Sequence, residues 1–516
     1  MNGTRISGIA AGLLAGVLLF QFFGCSDKSS RIERIAEAVD AAPRIRPDYC
    51  GLIIPPNIGP LNFIVCEKGS GCYVSIRGEN GGRIDINSAN GKIEIPAGKW
   101  RDLVVSNAGK SLRYAVYVRQ GAVWKRFREF GNRVAFEPVD RYLVFRVMPV
   151  IYNHYRDISL VQHDLETNRE SVLFAFPPYE PGCVNCHTFR NNDPQSFTIQ
   201  FRGGRYGNAT LLAGSATARV IDAKFGYGSW HPGGTMITYS VNRVRQCFHA
   251  ARTEIRDHFD LSSCIVNYDV KNGTCTTAGP LSDSSLLTTW PGWSADGRHL
   301  YYCAAAMQRD GSNEFPPKNL EQTRYSLLRI GYDPASGAWG AIDTMVASES
   351  TGMSVSMPRC SPDGRFVVFC MHDWGPSPHL RGNSDLYCMD LRTRGVTKLE
   401  ANSPYAESWH SWSNSGRWLA FSSKRMGGVL TRVYVCHIDT TGRAGKQFAV
   451  PHSDPAFYDA FVNVCNTPEF ITAPVKLKKH DALRAIGSGR RIGCEVPAGG
   501  APLYDEKAGS QQLRQE

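Results

Sequence analysis

Basic clustering is scarce in this chain. Lysine and arginine total 58 against 47 acidic residues, and the formal charge of +11 is spread over all 516 positions. Only Lys476-Leu477-Lys478-Lys479 and Arg490-Arg491 are locally basic. A nucleic-acid groove needs a basic face interleaved with aromatics, so nucleic acid is excluded as a partner. Several catalytic signatures are missing too. The sequence has no G-x-S-x-G elbow and no complete G-x-x-x-x-G-K-[ST] phosphate loop. It also lacks an H-E-x-x-H helix, a second C-x-x-C and a histidine pair at zinc spacing. A propeller peptidase, a P-loop enzyme and a closed zinc site all lose their support.

Apolar residues make up 42% and charged residues 20%, the proportions of a globular protein, and the length predicts two or three folded units. Gly (50), Tyr (21) and Phe (24) are abundant, which leans towards a turn-rich, all-β chain. At the N-terminus, Arg5 precedes a run from Ile9 to Phe23 that is apolar apart from Gln21. Such a run reads as an export signal. Phe22-Phe23-Gly24-Cys25 resembles a bacterial lipobox, with Phe22 where Leu is usual. The reading is a signal peptide over 1–24 and lipid attachment at Cys25; the alternatives are an uncleaved anchor, for which the run is slightly short, or a core helix. Sixteen cysteines suit an oxidising compartment. Setting aside Cys25, Cys183 and Cys186 leaves an odd number. Cys66 and Cys72 flank Lys68-Gly69-Ser70-Gly71, a hairpin loop able to bring them within bridging distance. Cys303 and Cys370 end apolar runs and read as buried thiols.

Residues 25–57 read as a lipid-anchored tether with a short helical pattern at Ile32 to Ala41. Short strands over 58–136, such as Tyr73 to Ile76, Arg83 to Ile86 and Tyr114 to Val118, predict a β-sandwich. Then the chain repeats. Ser229-Trp230-His231-Pro232-Gly233-Gly234 aligns with Gly292-Trp293-Ser294-Ala295-Asp296-Gly297. Arg359-Cys360-Ser361-Pro362-Asp363-Gly364 and Ser411-Trp412-Ser413-Asn414-Ser415-Gly416 complete the series. Each opens an apolar strand and is followed by a second strand ending in Asp, at Asp269, Asp333, Asp390 and Asp439. Small sheets that cannot bury both faces alone stack around an axis, the logic of a radial repeat. Weaker units at Tyr142 to Phe145 and Phe197 to Phe201 raise the expectation to six blades over 137–470. Residues 471–516 read as a C-terminal extension, partly disordered, with a flexible tail from Gly487. His231, where two other repeats have Ser, reads as a structural turn residue.

Between the first two proposed blades sits Cys183-Val184-Asn185-Cys186-His187. C-x-x-C-H is the attachment motif of c-type haem: two thiols take the two vinyl groups on one macrocycle edge, and the next His turns under its centre to iron. Pro181-Gly182 places the motif in an exposed loop. The expectation is one covalent haem c, with thioethers at Cys183 and Cys186 and His187 as the iron ligand. Met357, Met371, His372 and His410 are candidates for the opposite axial position. A disulfide or redox pair at Cys183/Cys186, or a metal site, is the rival reading; a thioredoxin-like pair would want a βαβ context, which is absent.

The repeats Trp293-Ser294-x-Asp296-Gly297-Arg298 and Ser361-Pro362-Asp363-Gly364-Arg365 resemble TolB-type propeller repeats. The chain also resembles a family of exported bacterial lipoproteins that join such a propeller to one C-x-x-C-H motif. The shared features span residues 48–475, from Ile54-Pro55-Pro56-Asn57-Ile58 through Ser229-Trp230-His231-Pro232 to His410-Ser411-Trp412-Ser413 and Phe421-Ser422-Ser423-Lys424-Arg425. The resemblance implies an all-β chain, a sandwich followed by a TolB-like propeller, in the periplasm or at the surface of a Gram-negative cell. It implies a cytochrome-like role with redox or other envelope proteins as partners and the membrane reached through the lipid, and no established reaction. The alternatives are a non-enzymatic TolB-like binding module with a structural Cys183/Cys186 pair, and a haem enzyme with an open iron site.

Overall fold

The computed structural model of the chain describes residues 29–150, 158–177, 182–202, 207–214, 218–248, 254, 256–307, 319–488 and 491–494. The expected signal peptide and Cys25 lie outside these residues. Among the described residues, no helix is long and apolar enough to cross a bilayer. The chain is all-β and divides into two compact units, one running to Phe136 and taking in Pro451–Ala460, the other comprising the rest.

Among its described residues the first unit holds a seven-stranded sheet, a three-stranded sheet and the helix Ala97–Ser106, with short helices at 29–35 and Phe457–Ala460. At its centre Cys72–Gly78 runs antiparallel to Ser111–Gln120, with Tyr73 opposite Tyr117 and Val74 opposite Val116, all four buried. Such cross-strand pairs are the unit of sheet stability. The helix Ala97–Ser106 falls inside a stretch that the sequence reads as strands and turns. Pro96-Ala97-Gly98 looks like a turn, yet Pro is well placed at a helix start. Trp100, Leu103 and Val104 share the buried face, and the indole of Trp100 donates to the Ile58 carbonyl at 2.9 Å.

The segment read as a tether is built into this unit. Ile53–Ile54 pairs in parallel with Arg133–Val134, and Glu37–Ala38 with Lys125–Arg126. Leu52, Ile54 and Ile58 are buried, which the surrounding prolines disguised. The helix expected at Ile32 to Ala41 spans residues 29–35 and anchors through buried Ile32. Cys66 and Cys72 do not bridge: Cys66 is exposed, Cys72 lies in the core and both are free.

Among the described residues, the second unit is a propeller of six sheets. The inner strands of the second to sixth sheets are Cys183–Arg190, Gly226–Trp230, Leu286–Trp293, Ser354–Cys360 and Glu407–Trp412. The first sheet takes its inner strand from the end of the chain: Val464–Ile471 pairs antiparallel with Tyr142–Met148, Tyr142 opposite Ile471. Each inner strand touches the next, and the sixth touches the first, so the ring closes. Closure by a distant segment leaves no free inner edge. Burial grades outwards. In the fifth sheet all seven residues of Phe366–His372 are buried, whereas Val396–Lys398 at the rim is exposed throughout. A strand covered on both faces reads as a continuous apolar run, which is why the repeats were visible.

The repeated turns explain their own sequence. The Ser294 hydroxyl donates to Asp296 at 2.6 Å and accepts the His299 N–H, while Asp296 accepts the Arg298 N–H. Ser361, Asp363, Phe366 and Arg365 repeat the same bonds. His231 substitutes for Ser in the third sheet: Nδ1 accepts the Gly233 N–H, and Nε2 donates to the Gly297 carbonyl of the next turn. It is a structural turn residue. The C-terminal extension is partly ordered. Lys479–Gly487 is a helix, Arg491–Ile492 pairs in parallel with Val220–Ile221, and Cys494 forms a disulfide with Cys275. The tail expected from Gly487 is thus tied down as far as Cys494. The thiols of Cys303 and Cys370 are fully buried, and burial pushes both pKa values up.

Candidate functional site

All six inner strands break their pairing at one level. The ladders shift between Val184 and His187, Gly226 and Ser229, Thr289 and Gly292, Ser356 and Arg359, and Ser408 and Ser411. In the first sheet the shift lies between Val144 and Arg146, opposite Glu469 and Asn466. Five of these breaks hold a residue in the left-handed backbone region: Tyr227 (φ 45°), Trp290 (55°), Met357 (56°), Trp409 (51°) and Thr467 (52°). Asn185 takes the corresponding place in the second sheet. A left-handed conformation costs a non-glycine residue about 1–2 kcal/mol, so large side chains held there five times over mark a constrained site.

These bulged residues line a cavity of about 30 Å³ together with Cys186 and His187. That volume admits one or two waters. Tyr227 stacks on Trp290 at 3.6 Å between ring centroids, and Trp409 meets Trp290 edge-on at 5.3 Å. The Trp290 indole donates to the Pro376 carbonyl at 2.8 Å. The Trp409 indole nitrogen is buried with no hydrogen-bond partner.

The C-x-x-C-H residues do not form the expected exposed loop. They open the inner strand of the second sheet, with Cys183, Asn185 and His187 buried. The ladder breaks between Val184 and His187, within the motif. Cys183 joins the core between the first two sheets, among Phe174, Phe176 and Phe201, while Cys186 lines the axial cavity. Both thiols are free, and burial raises the pKa of Cys183.

His187 is the unusual member. Its side chain is buried and neither ring nitrogen makes a well-formed hydrogen bond, the Val144 and Thr467 backbone acting on it only weakly. Burial, reinforced by the cations Arg146 and Arg359, pushes its pKa down to about 3, an effect that the nearby Val144 and Thr467 backbone only partly offsets. It is therefore a neutral imidazole with a lone pair unused by the protein. An orphaned imidazole beside two free thiols is the donor chemistry that a c-type haem requires. The 30 Å³ cavity is far smaller than a porphyrin, and Cys183 is walled in. As it stands, the site does not admit the group.

The four axial candidates separate clearly. Met357 and His410 line the same cavity as His187. The His410 ring is committed elsewhere, its Nε2 donating to the Val368 carbonyl at 2.8 Å. His372 is equally committed: Nδ1 donates to the Trp374 carbonyl and Nε2 accepts from Ser356, both at 3.1 Å. Met371 is buried in the second strand of the fifth sheet. Of the four, Met357 is the one at the cavity whose ligand atom is engaged by a backbone N–H rather than by a carbonyl.

Sequence reasoning missed Tyr227, Trp290, Trp409, Glu469 and Arg146. A signal existed, since Tyr227, Trp290, Met357 and Trp409 each stand three residues before Trp230, Trp293, Cys360 and Trp412 of the aligned repeats. Glu469 accepts the Phe189 N–H at 2.8 Å and faces Arg359 at 3.6 Å; burial raises its pKa to about 7.

No family model and no curated protein matches this chain. Among solved structures, TolB from Acinetobacter baumannii is similar at 13% identity and a TM-score of 0.41, covering 73% of this chain and 85% of that one. The Dos1 propeller follows at 15% identity and 0.30, covering 52% and 63%. An oligogalacturonate lyase from Vibrio parahaemolyticus gives 10% and 0.31, covering 55% and 84%. Likenesses this distant bear on no function, and the propeller assignment rests on the closed ring of six sheets.

Proposed function

We propose that the chain is an exported, lipid-anchored propeller that holds one covalent haem c at Cys183, Cys186 and His187 and passes single electrons between envelope proteins. The observation that carries this reading is His187, a buried neutral imidazole with no well-formed hydrogen bond at either ring nitrogen, immediately after two free thiols. Each thiol would add across one vinyl group: the S–H bond and the vinyl π bond break, a carbon–sulfur bond forms, and the proton ends on the vinyl carbon, with no oxidant consumed. The bound group would supply one-electron exchange. Export is supported by the Cys275–Cys494 disulfide, a bond that persists mainly in oxidising compartments.

The test is the mass and visible spectrum of protein matured in a host with c-type haem machinery. A mass increased by one haem, lost in C183A/C186A, is the expected result. A mass explained by amino acids and acyl chains alone sinks the reading.

One observation favours a second reading. Cys183 already completes an aromatic core and the axial cavity is small. On that account the pair is structural and the propeller is a non-enzymatic binding platform. It requires that H187L leave partner binding and stability nearly unchanged.

A further inference from the structure

The third sheet is longer than its neighbours. Its second and third strands, Met236–Phe248 and Arg256–Asp269, have 13 and 14 residues. The same strands of the fourth, fifth and sixth sheets have six to nine. Gly226, at the start of the inner strand, faces Ser240, and the two long strands run on beyond that point. Their ladder shifts between Arg243 and Val244 and then continues until Phe248 stands opposite Arg256.

This extension is tied to three other sheets. Asp260 accepts the Tyr325 hydroxyl at 3.0 Å, beside the third strand of the fourth sheet. Asp257 pairs with Arg381 at 2.6 Å, and His258 is hydrogen-bonded to the buried Ser377 hydroxyl. Both partners lie between the second and third strands of the fifth sheet. Lys424, on the second strand of the sixth sheet, donates to Glu254. In a closed ring of six sheets the third and the sixth stand opposite each other. The Glu254–Lys424 bond therefore spans the axis, at the end where the inner strands begin: the Lys424 N–H itself donates to Ala406, next to the inner strand Glu407–Trp412. The His258 ring lies 5.8 Å from His379, and His379 lies 5.4 Å from Trp409, which lines the axial cavity with Cys186.

We infer that the extension of the third sheet is a gate over the axial cavity, and that the Glu254–Lys424 and Asp257–Arg381 pairs across the ring hold it shut. The structure is the closed state. Opening bends the two strands at the shift beside Val244, parts both pairs and admits small molecules to Cys186. Any bond made only in the closed state sets the open population, so weakening one pair raises that population even while the other remains. The inference does not rest on the haem reading, since it concerns access to the cavity whatever the cavity holds. The rival account makes the extension a fixed brace across the ring.

The full-length chain, produced where haem attachment does not occur, is alkylated with iodoacetamide. The rate at Cys186 is followed by peptide mass against that at the exposed thiol of Cys66 in the first unit. Where opening is fast relative to alkylation, the Cys186 rate tracks the open population. In the wild type Cys186 should react more slowly than Cys66. K424E and E254K each set like charges face to face, and each should raise the Cys186 rate about tenfold or more while leaving Cys66 unchanged. The exchange E254K/K424E restores an attractive pair and should bring the rate back close to that of the wild type. A Cys186 rate that is the same in all four proteins, or that matches Cys66 in the wild type, overturns the inference. So does an exchange variant as fast as the single ones, because the charges would then brace the sheet and not close it.

Discussion

The backbone N–H of Trp409 donates to the sulfur of Met357 at 3.3 Å, joining the inner strands of the fifth and sixth sheets at the wall of the His187 cavity. The thioether is thus already an acceptor at the site. Taking it from Trp409 would forfeit about 1 kcal/mol. In the haem-loaded protein, M357L should remove the methionine–iron charge-transfer band and lower the reduction potential, because a methionine ligand raises it. H372Q should leave the band in place. An unchanged spectrum in M357L would exclude Met357 as the axial partner.

His372 makes stability depend on acid in a direction that can be worked out. Its ring is fully buried and satisfied as the neutral tautomer, donating through Nδ1 and accepting through Nε2. Burial first, and Arg381 second, push its pKa down to about 3. The unfolded chain binds this proton near pH 6.5 and the native chain does not until about pH 3. Between those values unfolding is favoured as pH falls, by about 1.4 kcal/mol per pH unit for one such group. Its stabilising effect is complete above pH 6.5 and disappears on the way down to 3. His410 and His258 are depressed in the same way. Urea unfolding at pH 7 and pH 5 should show this loss, and H372Q should reduce the proton uptake on unfolding by about one. An unaltered pH slope in H372Q would show that the native state already carries the proton.

Legibility of the sequence followed local periodicity. The strands Phe366–His372 and Trp418–Met426 announced themselves because the first is buried throughout and the second over its first six residues, and each opens after a Ser-x-x-Gly turn whose hydrogen bonds are local. The helix Ala97–Ser106 was hidden because its start looks like a turn. The site was half visible. Five adjacent letters gave its thiols and imidazole. Arg146 and Thr467 stand 39 and 282 positions from Asn185, brought beside it only by ring closure, and no spacing rule reaches that far. The exposed loop was misjudged for a related reason: Pro181-Gly182 signals a turn, but whether the next residues cover or are covered depends on neighbouring sheets.

Asp257 and Arg381 form an ion pair in the interior, 2% and 7% exposed, with two hydrogen bonds at 2.6 and 2.9 Å. The guanidinium also lies over the Trp374 ring at 3.3 Å and donates to its carbonyl at 3.0 Å. D257N keeps the shape and removes the counter-charge, which should cost about 3–5 kcal/mol in denaturant unfolding. D257L/R381M, which removes both charges, should recover most of that loss. A D257N cost below about 1 kcal/mol would mean that Arg381 is balanced by water.

Two glycines in equivalent turns should respond differently to the same methyl group. Gly364 has φ 70°, and a Cβ there would meet only the Ala295 side chain at 3.8 Å. G364A therefore carries the backbone penalty alone, about 1–2 kcal/mol. Gly297 has φ 69°, but its Cβ would come within 2.4 Å of the His231 Nε2. That ring cannot step aside cheaply. It is held by the Gly297 carbonyl on one nitrogen, by the Gly233 N–H on the other, and edge-on by Trp293 at 4.8 Å. G297A should cost at least about 1 kcal/mol more than G364A, since it breaks the inter-sheet hydrogen bond as well. In a double-mutant cycle with H231A that excess should vanish, leaving the backbone penalty. Equal costs for the two alanines in the wild-type background would show that His231 moves freely and does not tie the third sheet to the fourth.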